Sequence, residues 1–110
     1  MIEKIVLDYL TSKLDVPCSM ELLPDLGDSF VVIEKTGSTE DDGIEGGTIA
    51  IQSYGASLLD AAKLNEKVKL AMKGIVELDS VYKCKRNSDY NFTDPTTKRY
   101  RYQAVFNINY

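Results

Sequence analysis

Between Ser57 and Leu78 the apolar residues Ala61, Leu64, Val68, Ala71, Ile75 and Leu78 recur at alternating steps of three and four. That spacing lays them on one face of a helix. Ser57 with Asp60 three residues on supplies the start, a hydroxyl to cap a free amide and a carboxylate beside the positive end of the helix dipole. The predicted element is one amphipathic helix from Ser57 to about Leu78, and its apolar face requires a sheet. Asp60, Lys63, Glu66, Lys67, Lys73 and Glu77 fall on the other side, and so do Leu59 and Leu70. Isolated exposed leucines are ordinary. Two on one stripe fit equally well a contact surface for a neighbouring subunit.

The rest of the chain supplies the sheet. Ile2 to Leu14 carries a wide apolar stripe and reads as a short helix that Val16-Pro17 stops. Cys18, Met20 and Leu22 alternate with Ser19 and Glu21, predicting a half-buried strand that ends in the turn Pro24-Asp25-Leu26-Gly27-Asp28. Ser29 to Lys35 contains Phe30-Val31-Val32-Ile33, apolar on both faces as in a central strand. Residues 36–47 hold four carboxylates, four glycines and no basic residue, and are predicted to be a long, flexible acidic loop. Thr48 to Tyr54 returns as a strand, with Ile49 and Ile51 on one face and Ala50, Gln52 and Tyr54 on the other. A second hairpin joins Val81–Asp89 to Arg99–Tyr110 through a turn at Asp94-Pro95. In its last strand Tyr100, Tyr102, Ala104, Phe106, Ile108 and Tyr110 share the face predicted to point inward. The order helix, strand, strand, strand, helix, strand, strand gives an α+β fold, a mainly antiparallel sheet of about five strands on two helices.

A chain of 110 residues is expected to form a single domain, 1–110, burying roughly two thirds of its unfolded surface. It has no apolar run of bilayer-spanning length and no signal-peptide pattern at Met1-Ile2-Glu3-Lys4, so a soluble protein made in a cytosol is expected, with no membrane partner. Cys18 and Cys84 lie in no CxxC or Cys/His pattern and read as two small buried hydrophobes. Charge is unevenly spread. Residues 1–80 hold 7 Lys/Arg against 15 Asp/Glu, a balance of −8, and residues 81–110 hold 6 against 2, a balance of +4. Such a split serves either internal neutralisation or an acidic partner, and head-to-tail packing of identical subunits would use both signs at once.

The absence of histidine removes triads, imidazole bases and most zinc chemistry. Glu40, Asp41, Asp42 and Glu45 are clustered, but a glycine-rich stretch offers no apolar wall to raise a carboxylate pKa, and their spacing does not match an EF-hand loop. No phosphate-binding glycine motif occurs. A non-enzymatic protein is expected, without catalytic residue, cofactor or metal. The segments Tyr82-Lys83-Cys84-Lys85-Arg86 and Lys98-Arg99-Tyr100-Arg101-Tyr102 interleave cations with rings, the composition of a single-stranded nucleic-acid platform. Alternation instead turns the tyrosines inward and the cations to water, and the acidic remainder opposes a polyanion; the nucleic-acid module is therefore the alternative reading.

Phe30-Val31-Val32-Ile33-Glu34-Lys35-Thr36-Gly37, Thr48-Ile49-Ala50-Ile51-Gln52-Ser53-Tyr54-Gly55-Ala56-Ser57 leading into Asp60-Ala61-Ala62-Lys63-Leu64, and Asp89-Tyr90-Asn91-Phe92-Thr93-Asp94-Pro95 with Arg101-Tyr102-Gln103-Ala104-Val105 resemble, in that order, small phage tail-terminator or tail-completion proteins. The resemblance implies a structural virion protein, assembled in the cytoplasm of a bacterial host and located in the neck of a long-tailed phage. Its partners would be itself, in a ring of about six copies, the tail tube protein and a head-side connector protein. DNA would pass through without being bound specifically. On this reading the acidic loop with Glu40, Asp41, Asp42 and Glu45 faces the lumen or the tube, where it repels phosphate. Leu59, Leu70, Lys85, Arg86, Arg99 and Arg101 are the residues expected at subunit interfaces.

Overall fold

The computed structural model describes residues 1–41 and 43–110, with the side chain of Asp41 also outside the description. Helix α1 spans Ile2–Lys13 and buries Ile2, Val6 and Leu10, with Glu3 in its first turn and Lys13 in its last, as the helix dipole favours. Leu14 is already extended, its amide still bonded to the Leu10 carbonyl at 2.8 Å. Strand β1 is only Cys18–Ser19. The alternation that predicted a strand to Leu22 fails there because the Ser19 hydroxyl takes the Glu21 amide (3.2 Å) and turns the chain, leaving Met20 and Leu22 exposed.

Strands β2 (Phe30–Asp41) and β3 (Ile44–Tyr54) form one long hairpin. This corrects the predicted loop 36–47, since the register runs from Phe30↔Tyr54 to Asp41↔Ile44 with one irregularity between Lys35 and Gly37. One glycine there, Gly46, sits at a close approach. A Cβ on Gly46 would stand 2.5 Å from Thr39 Oγ1 and 3.2 Å from Asn109 Nδ2, so the side chains of both neighbouring strands close over this glycine and would have to move for a larger residue. Gly43, with φ at +80°, belongs to an Asp-Gly pair, the sequence signature of a tight hairpin turn.

Helix α2 covers Leu58–Lys73 and begins as predicted, the Ser57 side chain accepting from the Asp60 amide at 3.1 Å, a cap worth about 1 kcal/mol. It stops at Gly74 instead of running to Leu78, and Ile75–Glu77 form a separate 3-10 turn. The Tyr9 hydroxyl explains the break: it donates to the Ala71 carbonyl at 2.7 Å, competing for the acceptor that the next helical amide would use. A Cβ on Gly74 would lie 2.8 Å from that hydroxyl.

Strands β4 (Lys83–Asn91) and β5 (Arg101–Asn109) complete a mixed sheet of order β1-β2-β3-β5-β4, in which only the β1–β2 pair is parallel. The fold is α+β, with both helices packed on one face. Val31, Ile33, Ile49 and Ile51 meet Ala104, Phe106 and Ile108 and the helical Val6, Leu10, Val68 and Met72 in one core. Of the aromatic face predicted to point inward, Phe106 is buried and Tyr110 packs half-buried against the same core, whereas Tyr102 is half-buried and Tyr100 exposed. Cys18 and Cys84 are half-buried against the same core.

A polar bridge ties α2 to the outer strand. Buried Asn65 donates to Asp89 Oδ1 at 3.2 Å, and Lys69 Nζ lies 3.1 Å from the same oxygen and 2.8 Å from Glu66. Hydrogen bonding to Glu66, reinforced by Asp89 against the opposing effect of burial, raises the Lys69 pKa. Its contribution is therefore fully present at neutral pH and is lost as pH rises through the folded-state value. Asp89→Ala should destabilise the protein by about 1–3 kcal/mol by stranding these donors, read from urea unfolding. A loss under about 0.5 kcal/mol would reduce the bridge to an ordinary surface ion pair.

Candidate interaction surfaces

Three surfaces gather the residues that the sequence singled out. The first is the tip of the β2–β3 hairpin. β5 pairs with β3 only from Gly46 to Tyr54, so the last rungs, Glu40↔Glu45 and Asp41↔Ile44, project beyond the rest of the sheet as a two-stranded arm. Its base is tied down by the Tyr110 amide, which donates to the Glu45 carbonyl at 3.0 Å. Glu40 and Glu45 are exposed and directly opposite one another, a like-charge rung that weakens a hairpin. Of the predicted acidic set, Asp42 and the Asp41 side chain lie outside the described residues. Replacing Glu40 and Glu45 together with Gln should stabilise the hairpin by about 0.2–1 kcal/mol. Unchanged or faster amide exchange at the arm would show that the rung carries no repulsion.

The second surface is the outer side of α2. Leu59 and Leu70 are 62 % and 71 % exposed, as the helical stripe predicts. They do not form one patch: eleven residues of helix separate them by about 16 Å. Leu70 walls a groove of about 470 Å³ between α2 and the end of α1, together with Lys13, Leu14, Asp15, Lys67 and Ala71. Leu59 stands instead beside the partly exposed Leu58 at the start of the helix.

The third surface was predicted as a single basic set, and the structure divides it. Lys83, Lys85 and Arg86 are exposed on β4, an outer strand, with Arg86 3.6 Å from Asp89. Arg99 and Arg101 lie elsewhere, on the sheet face away from the helices. There Phe30 and Tyr54 stack with centroids 4.5 Å apart, and the Arg99 guanidinium sits 5.4 Å from each ring. Arg101 lies 4.5 Å from the Phe92 ring, donates from Nε to the Phe92 carbonyl (2.6 Å) and from a terminal nitrogen to the Tyr54 hydroxyl (3.0 Å). These two arginines close a small second core of Phe30, Val32 and Tyr54, against which Leu26 also packs. The side-chain chain Gln52–Gln103–Tyr90 (3.0 and 2.6 Å) continues this polar and aromatic layer across the sheet.

This geometry bears on nucleic-acid binding. A base needs an open ring face: of the rings in the predicted platform Tyr82 and Tyr100 are 73 % and 37 % exposed and Tyr102 is half-buried, whereas Phe30 and Tyr54, stacked on each other beside Arg99, offer none. Among the described residues no group of three or more His, Cys, Asp or Glu is placed to hold a metal ion. Burial pushes the Cys84 thiol up to about 11 and also raises Cys18, so both stay protonated and weakly nucleophilic at neutral pH.

Sequence reasoning missed Asn65 and Asp89. The signal was present for Asn65, which falls four residues after Ala61 and three before Val68 on the apolar stripe. A polar residue there needs a buried partner. A comparison with protein-family models finds no match to the chain, and a comparison with curated proteins finds none.

Proposed function

We propose that the chain is a structural subunit of a long-tailed phage or prophage, assembling head-to-tail into a ring of about six copies that ends the tail tube and joins it to the head. The observation that carries this reading is the order of the sheet. Part of the charge split of the sequence becomes a split in space, because the acidic arm of β2 and β3 rises at one side and β4, with Lys83, Lys85 and Arg86, forms the opposite border. A heterologous contact repeated around an axis needs two different, complementary sides on every subunit. The projecting arm, with Glu40 and Glu45 at its tip, suits a position in the channel or against the tube, where negative charge keeps DNA from adhering while it passes.

The test is native mass spectrometry of the full chain across concentration and salt, with fluorescent single-stranded DNA as a second component. A ring of about six copies that loosens as salt screens the charges and ignores DNA is the expected result. A protein that stays monomeric throughout, or a monomer that binds the DNA, overturns the reading, and the second outcome favours the nucleic-acid module.

A further inference from the structure

The two borders of the sheet are complementary in direction, in charge and in apolar content. Among the described residues β4 pairs only with β5. On the far side, β1 covers β2 only at Val31 and Val32, so among the described residues the outer side of Ile33–Asp41 has no strand beside it. Both borders thus present backbone amides and carbonyls with no partner in the sheet, the standing template for another strand.

We propose that β4 of one copy pairs antiparallel with the uncovered stretch of β2 in the next, joining neighbouring sheets into one. The proposal rests on the ring reading above and names its contact. β2, β3, β5 and β4 alternate in direction, so β4 runs opposite to β2. A neighbour generated by rotation about an axis alongside the strands keeps its orientation, and its β2 arrives beside β4 antiparallel.

The same rotation keeps the ends of the sheet aligned, and the ends match. Lys83, Asn109, Gly46 and Thr39 lie in one row across the sheet, as do Lys85, Asn107, Thr48 and Gly37. The basic end of β4 therefore stands at the same end as Glu40 and Glu45. Toward the other end, Tyr90 shares a row with Gln103, Gln52, Val32 and Ser19, and the residue after Ser19 is Met20. Tyr90 and Met20 are 41 % and 43 % exposed, so each border also carries an apolar side chain near that level.

Charge also selects against the wrong pairs. Two β4 borders would set lysine against lysine, and two arms would set glutamate against glutamate. Only the mixed pair attracts, which favours head-to-tail over two-fold association. The register irregularity between Arg86 and Ser88 divides β4 into two regular stretches, and the first, Lys83–Arg86, stands level with the part of β2 that β1 leaves free.

Two variants test the contact: K83E/K85E, and E40K/E45K. Each alone should need on the order of a hundredfold more protein to assemble than the unaltered chain, with an unchanged circular dichroism spectrum. Mixed in equal amounts they should reassemble, because each then offers the border that the other lacks, and native mass should show rings containing both. If the separate variants assemble like the unaltered chain, or if the mixture stays monomeric, the edge contact is wrong while the ring reading stands. An unaltered chain that never associates removes both.

Discussion

Phe30→Ala should cost about 3–5 kcal/mol of stability, as much as a truncation in the main core, although Phe30 lies on the sheet face that no helix covers. The side chain is 0 % exposed, stacks on Tyr54 at 4.5 Å and lies under the Arg99 guanidinium. Removing it deletes the ring that closes this layer and opens the buried Tyr54 to water. Urea unfolding gives the magnitude, and the near-ultraviolet circular dichroism of the tyrosines gives an independent signature. A loss below about 1.5 kcal/mol would mean that Leu26 and the two arginines close over the gap, demoting the layer from a core to a surface decoration.

Gly55→Ala should cost about 1–3 kcal/mol or more. The added methyl group would run into the Ala61 backbone amide and come within 2.8 Å of the Asp60 carbonyl carbon. Those atoms belong to the first turn of α2, and backbone cannot swing aside as a side chain can. Relief requires the helix to shift, which pulls the Asp60 amide from the Ser57 hydroxyl that caps it. Gly37→Ala is the control, since a Cβ there meets nothing within 4 Å; it should stay within about 0.5 kcal/mol of the parent. Equal effects at the two positions would show that the start of α2 yields freely.

What the sequence made readable was local. The three-and-four spacing and the Ser57 cap located α2, and the alternation in the last strand placed Ala104, Phe106 and Ile108 in the core. The element order was readable for the same reason, as each period is set by neighbours a few residues away. The failures were non-local. Gly46 and Gly47 look like loop residues until Thr39 and Asn109 are known to crowd Gly46. Gly74 looks like a tolerated interior glycine until Tyr9, from the first helix, competes for the carbonyl of Ala71.

The candidate site divides in the same way. Leu59 and Leu70 are as exposed as the helix period required, because exposure on a helix follows from its own phase. The basic residues could not be sorted by composition. Lys85 and Arg99 look alike in the sequence, yet one lies on an outer strand and the other covers buried rings. The hairpin arm carries Glu40 and Glu45, which the sequence singled out, but presents them on paired strands.

The position of β5 has a kinetic consequence. It is the last strand in order, yet it lies inside the sheet, between β3 and β4. Glu45 and Asn109, 64 positions apart, come within 3.5 Å of one another. Until that distant segment arrives, β3 lacks its inner neighbour and β4 has no strand at all to lie against. Early contacts near the β2–β3 turn form quickly, but the step that completes the core must close a large loop, which slows folding. During that interval the inner borders of β3 and β4 are open to strands of other chains, so crowded synthesis carries a risk of mispairing that the finished fold conceals.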